Sequence, residues 1–424
     1  MHAVSRKAHL TGTADVPASK SHTVRSLILG ALAEGTSEIH APLDSFDTRS
    51  CCEAVRAFGA KVETVGDPWL VNGVAGKPAI PDNVVDVGNS GTTLYMTMGA
   101  AALVDGWTVL TGDGQIRRRT AAPLVSALEG LGVTVFSSRG DGCAPLLVRG
   151  PLMGGETTVR GVSSQYVSSL LMACPLAPHD SVITVTELNE RPYVEMTLSW
   201  LDYLGVRPEH DPGLSRFRIA GNARYPSFSR RIPGDFSSAT FLLCAGAIAG
   251  GALVLRGLSM DDPQGDKAIV DILRAMGADI QVGGDEIVVS GGRLRGIDID
   301  MNAIPDAIPM LAVTACFADG TTTLRNVPQA RLKETDRIAV MAAELAKLGA
   351  DVRELPDGLI INGTGLNGGK VHGHGDHRIV MAFTVAGCAA KGPITVDTAE
   401  AAGVTYPAFW NTMERLGADI TRFE

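Results

Sequence analysis

Two kinds of apolar segment alternate along the chain. The first kind is apolar on every face and rich in small residues, as in SLILGALAEG, YMTMGAAALVDG and TFLLCAGAIAGG. A helix of this composition is buried within its domain. The second kind is amphipathic and ends in a glycine, as in AVRAFGAKVE and ILRAMGADIQ, and short runs such as WTVLTG and SVITVT follow the first kind. The pattern therefore predicts a recurring order of buried helix, strand, amphipathic helix and further strands.

The amphipathic phrase recurs six times at nearly even spacing. The glycines that close it are separated by 73, 73, 72, 72 and 68 residues. A glycine suits the left-handed backbone position that ends a helix. Chance recurrence of a common helix ending does not explain the even spacing, so the chain is predicted to contain six copies of one structural repeat. These glycines are Gly59, Gly132, Gly205, Gly277, Gly349 and Gly417.

Six repeats divide into two domains of three. The chain has 424 residues, which fits two domains of about 200 residues better than one core. We predict a first domain at 19–231 and a second domain made of 1–18 and 232–424, with a crossing in NARYPSFSRRIPGD. Residues 1–18 contain one predicted strand, which could complete the shorter sixth repeat. The pattern favours an α/β fold of the α+β type, with sheets outside and helices inside.

Composition and charge narrow the class of protein. The net charge of −9 argues against general nucleic-acid binding. Seven cysteines are scattered through mostly apolar runs, which is typical of reduced, buried thiols in a cytoplasmic protein. The start of the sequence, MHAVSRKAHLTG, lacks the apolar core of a secretory signal, and no apolar run is long enough to span a membrane. We expect a cytoplasmic protein that binds neither nucleic acid nor membrane.

Cations lie at the starts of two predicted buried helices. Lys20 and Arg25 stand in PASKSHTVR, and His377 and Arg378 stand in GDHRIVM. Helix capping explains most of the nearby Ser, Thr and Asp residues, but a cation at the positive end of a helix is electrostatically unfavourable. A bound anion would explain the arrangement, because free N–H groups at a helix N-terminus already attract one. Capping alone is expected to account for Asp235, Ser237 and Ser238.

Four further segments carry polar residues that allow more than one interpretation. GDGQIRRRT contains three successive arginines, two of which a solvated turn would explain, and RLKETDRIAVM mixes both signs, as the start of an exposed helix also can. Asp306 in IPDAIPM is equally consistent with a helix cap. HGHGDH has irregular spacing, so we expect no metal site there. Together the residues predict an enzyme for phosphates or carboxylates, with its site in a cleft between two domains.

The chain resembles the 5-enolpyruvylshikimate-3-phosphate synthase family (3-phosphoshikimate 1-carboxyvinyltransferases) over essentially its full length. The segments that carry the resemblance are PASKSHTVRSL, GNSGTT, RRRT, SSQYVSSLLM, RPYVEMT, GDFSSATF, IPDAIPMLAV, RLKETDR and DHRIVMAF. The resemblance implies a two-domain inside-out α/β barrel of six βαβαββ repeats, three per domain. It implies transfer of the enolpyruvyl group of phosphoenolpyruvate (PEP) to the 5-hydroxyl of shikimate 3-phosphate, with release of phosphate. It also implies a monomer that needs neither cofactor nor metal.

The resemblance implies roles for individual residues as well. Asp306 and Glu334 would form the acid–base pair, with Lys20 as a further proton donor or acceptor. The residues implied to bind shikimate 3-phosphate are Lys20, Ser21, Arg25, Ser163, Ser164, Gln165, Tyr193, Asp306, Gln329 and Lys333. The residues implied to bind PEP are Lys20, Gly91, Arg119, Gln165, Glu334, Arg337, His377 and Arg378.

Three positions depart from the family pattern. Tyr95 stands where the family usually has an arginine for PEP, Glu190 where it often has a serine for the 3-phosphate, and Val404 where many members have a lysine. These departures leave open a divergent PEP-dependent enolpyruvyl transferase with a different, shikimate-like acceptor. An inactive anion-binding paralogue is a further alternative, although Lys20 and Asp306 are retained. The related enzyme that acts on UDP-N-acetylglucosamine carries a catalytic cysteine in the second-repeat loop, and GDGQIRRRT has none.

Overall fold

The computed structural model describes residues 1–424, which form twelve α-helices and twenty-four β-strands. The chain divides into two compact units. Unit 1 consists of Met1–Pro17 and Pro233–Glu424, and unit 2 consists of Ala18–Ile232. The chain therefore passes between the units twice, at 17/18 and at 232/233. No helix is both long enough and apolar enough to cross a membrane.

Six helices are almost entirely buried, and they alternate with six that bury one face. The buried helices are α1 (Lys20–Leu32), α3 (Gly91–Ala102) and α5 (Ser164–Ala173) in unit 2, and α7 (Phe236–Ala249), α9 (Ile308–Cys316) and α11 (His377–Ala389) in unit 1. The others are α2 (Phe46–Ala57), α4 (Ala122–Gly130), α6 (Arg191–Tyr203), α8 (Ile269–Met276), α10 (Arg337–Lys347) and α12 (Phe409–Arg415). In unit 1 the three buried helices contact one another, and in unit 2 α3 contacts both α1 and α5. Each unit has its own hydrophobic core.

Six four-stranded sheets lie around these helices, three in each unit. Unit 2 contains the sheets β14-β3-β5-β4, β6-β7-β9-β8 and β10-β11-β13-β12, and unit 1 contains β16-β17-β15-β2, β18-β19-β21-β20 and β22-β23-β1-β24. The strands of the first two repeats are β3 (Thr36–His40), β4 (Lys61–Glu63), β5 (Trp69–Asn72), β6 (Val85–Asp86), β7 (Trp107–Thr111), β8 (Thr134–Ser137) and β9 (Leu146–Arg149). Those of the third and fourth repeats and the crossing are β10 (Gly155–Arg160), β11 (Ser181–Thr186), β12 (Glu209–His210), β13 (Arg216–Ile219), β14 (Ser229–Arg231), β15 (Gly250–Arg256), β16 (Asp279–Gly283) and β17 (Glu286–Ser290). The remainder are β1 (His2–Arg6), β2 (Leu10–Asp15), β18 (Asp298–Asp300), β19 (Thr321–Arg325), β20 (Asp351–Leu355), β21 (Gly358–Asn362), β22 (Gly369–Val371), β23 (Ile394–Val396) and β24 (Asp419–Phe423).

The six repeat glycines share one backbone conformation. Their φ angles lie between 77° and 111°, in the left-handed region that a residue with a Cβ seldom adopts. Each follows an amphipathic helix, so the sequence prediction of six helix-ending glycines is confirmed. The repeat is therefore defined by a local backbone requirement as well as by its hydrophobic pattern.

The segment before the first repeat differs from the sequence prediction. It forms two strands rather than one. β1 lies between β23 and β24 and completes the sheet of the sixth repeat, as predicted, but β2 pairs in parallel with β15 of the fourth repeat. In the crossing segment, β14 likewise pairs in parallel with β3 of the first repeat. Each strand that precedes a crossing thus pairs within its own unit with a strand far along the chain. Hydrophobic periodicity cannot reveal these pairings because it carries no information on distant partners.

Candidate active site

The start of α1 places Lys20 beside a buried acid. Ser19 caps the helix, because its hydroxyl accepts the N–H of His22 at 3.4 Å. The Lys20 Nζ donates to Asp47 Oδ2 at 3.0 Å, and 14% of the Lys20 side chain is exposed. Asp47 lies in the first turn of α2, where a capping box at Ser45 positions the helix. Sequence reasoning missed Asp47, since an acid in a first helical turn is common and carries no signal of its own.

Arg25 is buried, and its guanidinium donates four hydrogen bonds within the protein. Its Nε donates to Thr197 Oγ1 at 2.8 Å and its Nη1 to the Ser21 carbonyl at 3.0 Å. Its Nη2 donates to Ser168 Oγ at 3.3 Å and to the Tyr193 carbonyl at 2.9 Å. Burial lowers the pKa of Arg25 to about 10, so the guanidinium remains charged at neutral pH. The cation predicted on α1 therefore lies within contact of α5 and α6.

The start of α3 is covered by an arginine. A Cβ built on Gly91 would lie 2.2 Å from Arg119 Nη1, so only glycine lets the guanidinium lie across this helix N-terminus. Tyr95 is 5% exposed, and its hydroxyl donates to the Thr120 carbonyl at 3.1 Å. Tyr166 donates to the same carbonyl at 2.7 Å. Tyr95 thus adds a neutral, internally bonded side chain where the resemblance implies an arginine.

The start of α5 holds an acidic side chain from another helix. Ser163 caps α5 by accepting the N–H of Gln165 at 3.4 Å. The Glu190 Oε2 accepts both the N–H of Ser164 at 3.2 Å and its hydroxyl at 2.8 Å. Glu190 is 2% exposed and stands at the N-cap of α6 with a left-handed φ of 56°. Ser163, Ser164 and Gln165, which the resemblance assigns to substrate binding, therefore lie together at the start of α5. The carboxylate of Glu190 lies among them.

In unit 1, three cations converge on Asp306. Its Oδ1 lies 2.8 Å from Arg337 Nη1 and 3.9 Å from Lys333 Nζ, and its Oδ2 lies 3.0 Å from Arg378 Nη2. The same Arg337 bonds Glu334 Oε2 through Nη2 at 2.6 Å. Asp306 precedes α9, while Arg337 begins α10 and Arg378 lies in the first turn of α11. Five predicted residues from three separate segments therefore form one cluster.

The cations decide the ionisation of Asp306. Burial by itself would raise the pKa of this carboxyl, but Arg378, Lys333 and Arg337 outweigh burial and hold the pKa well below its ordinary value. Opposite charges within a few ångströms favour the ionised form in this way. Asp306 is therefore a carboxylate at neutral pH, able to accept a proton and unable to donate one.

Asp376 orients the central arginine, and sequence reasoning assigned it no role. Its Oδ2 accepts from Arg337 Nε at 2.8 Å and its Oδ1 from Arg337 Nη2 at 3.1 Å. Oδ1 also accepts the N–H of Arg378 at 2.9 Å and so caps α11. The residue is fully buried. In the sequence, Asp376 could be noticed only because it stands directly before a buried helix. That position predicts a helix cap, and it does not predict a bond to an arginine 39 residues away in sequence.

Two predicted residues of unit 1 carry buried polar atoms without a hydrogen-bond partner. They are both ring nitrogens of His377 and Oε1 of Gln329, whose Nε2 donates to the Asn302 carbonyl at 3.1 Å. Burial lowers the pKa of His377 to about 3, so the ring is neutral. A buried polar atom without a partner costs free energy, which marks such a position as a place for a ligand or water.

Helix capping was expected to explain all the polar residues at the start of α7, and it explains only some of them. Asp235 does cap the helix, accepting the Ser238 N–H at 3.2 Å and the Ser238 hydroxyl at 2.7 Å. Ser237 instead donates its hydroxyl to Asp266 Oδ2 at 2.7 Å, and both residues are buried. Capping is therefore the wrong explanation for Ser237, because its partner comes from a later segment of the chain.

Two of the three histidines of HGHGDH pair with separate acids. His372 Nδ1 lies 2.6 Å from Asp397 Oδ2, and His374 Nε2 lies 3.0 Å from Glu344 Oε1. No group of three or more His, Cys, Asp or Glu side chains is arranged to hold a metal ion. The seven cysteines are buried and form no disulfide.

Fold and site together define a class of protein. Each unit carries three buried helices within small sheets, with cations, hydroxyls and acids gathered at the helix N-termini. That arrangement is typical of an enzyme that binds small anions and moves protons between them. The family model of EPSP synthase (3-phosphoshikimate 1-carboxyvinyltransferase) matches residues 4–413. The chain belongs to this family.

Similar proteins extend over nearly the whole chain. A 3-phosphoshikimate 1-carboxyvinyltransferase from Acetivibrio thermocellus is 51% identical, with 99% of both chains covered, and one from Methanocella arvoryzae is 44% identical, with 98% of both covered. The solved EPSP synthase from Acinetobacter baumannii has a TM-score of 0.82 at 27% identity over 100% of both chains. The enolpyruvyl transferase NikO from Streptomyces tendae, at 19% identity over 99% of this chain and 98% of its own, shares the fold with a TM-score of 0.81. The predicted two-domain inside-out α/β fold is confirmed.

Proposed function

We propose that this protein transfers the enolpyruvyl group of PEP to the 5-hydroxyl of shikimate 3-phosphate and releases phosphate. The observation that carries the proposal is the cluster around Asp306, in a chain that belongs to the EPSP synthase family over residues 4–413. Relatives that are 40–51% identical bear the name of this activity. The reaction needs cations for two anionic substrates and groups that move protons, and the cluster contains both kinds.

Proton transfer in this reaction has two parts. The acceptor hydroxyl must lose a proton, and the methylene carbon of PEP must gain one and later lose it. We assign the first part to Asp306 and the second to Glu334, with Lys20 as a further donor or acceptor. In the free protein the cations around Asp306 keep its pKa low. Anionic groups of PEP would engage Arg337 and Arg378, and the pKa of Asp306 would then rise toward that of a useful base.

The remaining predicted residues are assigned to the two substrates. Support comes from the unpartnered atoms of His377 and Gln329 and from the N–H groups at the starts of the buried helices. For PEP we assign Lys20, Gly91, Arg119 and Gln165 in unit 2, and Glu334, Arg337, His377 and Arg378 in unit 1. For shikimate 3-phosphate we assign Lys20, Ser21, Arg25, Ser163, Ser164, Gln165 and Tyr193 in unit 2, and Asp306, Gln329 and Lys333 in unit 1.

The test is phosphate release from PEP by the purified protein, with and without shikimate 3-phosphate. We expect release only when both substrates are present, and none from an Asp306→Ala variant. Release of phosphate from PEP alone would contradict the proposal. PEP binding without release, when shikimate 3-phosphate is present, would also contradict it and would favour another acceptor.

A second candidate keeps the PEP chemistry but changes the acceptor. Tyr95 and Val404 bring no charge to positions where the resemblance implies cations, and Glu190 brings a negative charge to a position where it implies a serine.

We propose in addition that the protein is a cytoplasmic monomer. The seven buried cysteines, none of which forms a disulfide, support the cytoplasmic location. Sedimentation of the purified protein tests the monomer.

A further inference from the structure

Two buried tyrosines hold the backbone directly after Arg119. We propose that Tyr95 and Tyr166 are positioning residues for PEP. By bonding the Thr120 carbonyl, they keep the guanidinium of Arg119 at the start of α3, where it contacts an anionic group of the substrate. The inference rests on the proposed function, because it takes PEP as that anion. It gives Tyr95 a role in anion binding that does not require a charge of its own.

One face of α3 contacts two successive residues of the arginine-rich loop. The helix begins at Gly91, where a Cβ would lie 2.2 Å from Arg119 Nη1. One turn later, the Tyr95 hydroxyl donates to the Thr120 carbonyl at 3.1 Å. Residues four apart in a helix lie on the same face. The glycine therefore makes room for the side chain of Arg119, and the tyrosine holds the backbone that follows it.

A second helix holds the same carbonyl. Tyr166, in the first turn of α5, donates its hydroxyl to the Thr120 carbonyl at 2.7 Å. Its ring meets the ring of Tyr95 edge-on, with 5.0 Å between the ring centroids, and both side chains are buried. Burial raises the pKa of Tyr166 well above its ordinary value, so its hydroxyl remains a donor at neutral pH. The carbonyl is therefore fixed from the first turns of two helices.

The backbone on either side of this point is held by other bonds. A short helical turn precedes Arg119, whose N–H donates to the Ile116 carbonyl at 3.1 Å. Beyond Thr120, the N–H of Ala121 donates to the Gly142 carbonyl at 2.7 Å. Loss of the tyrosine bonds therefore leaves the loop in place. It loosens the backbone only at the point from which the guanidinium extends.

The start of α3 suits an anion for two physical reasons. The first N–H groups of a helix have no partner within it, and they form the positive end of its dipole. The guanidinium of Arg119 brings a second positive group to that end. Two positive groups together are unfavourable unless an anion lies beside them, and PEP carries both a carboxylate and a phosphate. Because the side chain of arginine is long and flexible, a fixed backbone makes its guanidinium a better partner for that anion.

The experiment compares five intact proteins: the wild type, Tyr95→Phe, Tyr166→Phe, the double variant and Tyr225→Phe. Phosphate release gives kcat and the KM for PEP, calorimetry gives the affinity for PEP, and urea unfolding gives the stability. Each of the first two variants should raise the KM for PEP about 3-fold, because the carbonyl keeps one tyrosine bond. The double variant should raise it about 30-fold, more than the product of the single effects, with kcat within about 2-fold of the wild type.

Tyr225 provides the matched control. It is fully buried in the same unit, and its hydroxyl donates to the Met172 carbonyl at 2.8 Å. Tyr225→Phe therefore loses the same kind of hydrogen bond. Met172 lies in the last turn of α5, at the opposite end from Tyr166. We expect Tyr225→Phe to lower the free energy of unfolding, as the other single variants do, and to leave the KM for PEP unchanged.

The outcomes separate the inference from the proposed function. A KM for PEP that is equal in the wild type and the double variant, or that rises as much in Tyr225→Phe, would overturn the inference. Should the double variant fail to fold, the two single variants decide by the same comparison. Weaker PEP binding in the Tyr95 and Tyr166 variants, with no phosphate release by any of the proteins, would refute the proposed function and leave the role of the tyrosines standing.

Discussion

Replacing Asp376 with asparagine tests whether the position of Arg337 depends on this buried carboxylate. Asp376 is fully buried and accepts two hydrogen bonds from Arg337, at 2.8 Å and 3.1 Å. Asparagine keeps the size of the side chain but removes its charge and turns one acceptor into a donor. We expect the variant to fold, to be less stable and to bind PEP more weakly, because Arg337 loses the group that fixes its orientation.

The magnitude follows from the contacts that are lost. A hydrogen bond to a charged group contributes about 1.5–3 kcal/mol, and asparagine can keep one of the two. Arg337 also retains Asp306 and Glu334, at 2.8 Å and 2.6 Å, so its charge is not left unpaired. We therefore expect a loss of about 2–3 kcal/mol in the free energy of unfolding, below the about 3–5 kcal/mol typical of breaking an isolated buried pair.

Urea unfolding followed by circular dichroism measures this loss, and pH gives a second check. Burial would raise the pKa of Asp376, but Arg337 outweighs it and the pKa is lowered. A lowered pKa stabilises the protein above the pKa of the unfolded state, about 3.9, and this stabilisation is lost as pH falls through the folded-state pKa. The difference between wild type and variant should therefore be greatest near neutral pH and shrink below about pH 4.

Asp319→Asn is the matched control, since Asp319 also pairs with an arginine of unit 1, but at the surface. The pair lies at 2.6 Å with side chains 91% and 64% exposed, so its loss should not change stability measurably. Equal unfolding midpoints for wild type and Asp376→Asn, or a difference that does not depend on pH, would refute the reasoning.

Three further predictions concern the candidate active site. Asp306→Asn should lower kcat by about 100-fold or more while PEP still binds, as expected for a lost proton acceptor; a kcat near that of the wild type would show that another group takes the proton. Gly91→Ala should raise the KM for PEP about 10-fold, because the new Cβ would meet Arg119 Nη1 at 2.2 Å. Gly114→Ala, whose nearest neighbour lies at 4.0 Å, is its control, and equal KM values in the two variants would contradict the role of Arg119. The ring of His377, whose burial lowers its pKa to about 3, should show no change in its NMR nitrogen shifts between about pH 5 and 8; a titration step there would contradict the neutral ring.

Much of the fold could be predicted because its repeat follows local rules. The six buried helices and the glycines after the amphipathic helices depend on hydrophobic pattern and backbone conformation over about ten residues. The pairings of β2 and β14 could not be predicted, because strand pairing depends on partners far along the chain. β2 pairs with β15 and β14 with β3, and neither pairing leaves a signal in the strands themselves.

The candidate site divides in the same way. Lys20, Asp306 and Arg378 could be identified from charges that helix capping does not require, and from the resemblance. Asp376 could not be separated from an ordinary cap, and Ser237 was wrongly assigned to capping, because the partner of each comes from another segment.

The sequence by itself determined the repeat, the buried helices and the family, because these depend on the order of residues within short segments and on motifs that can be read in line. Only the tertiary structure decided which charges meet. It brought Arg337 between Asp306, Glu334 and Asp376, and it placed Glu190 on Ser164. The reason is physical: an electrostatic interaction depends on distance in space and on burial, and neither can be obtained from separation along the chain.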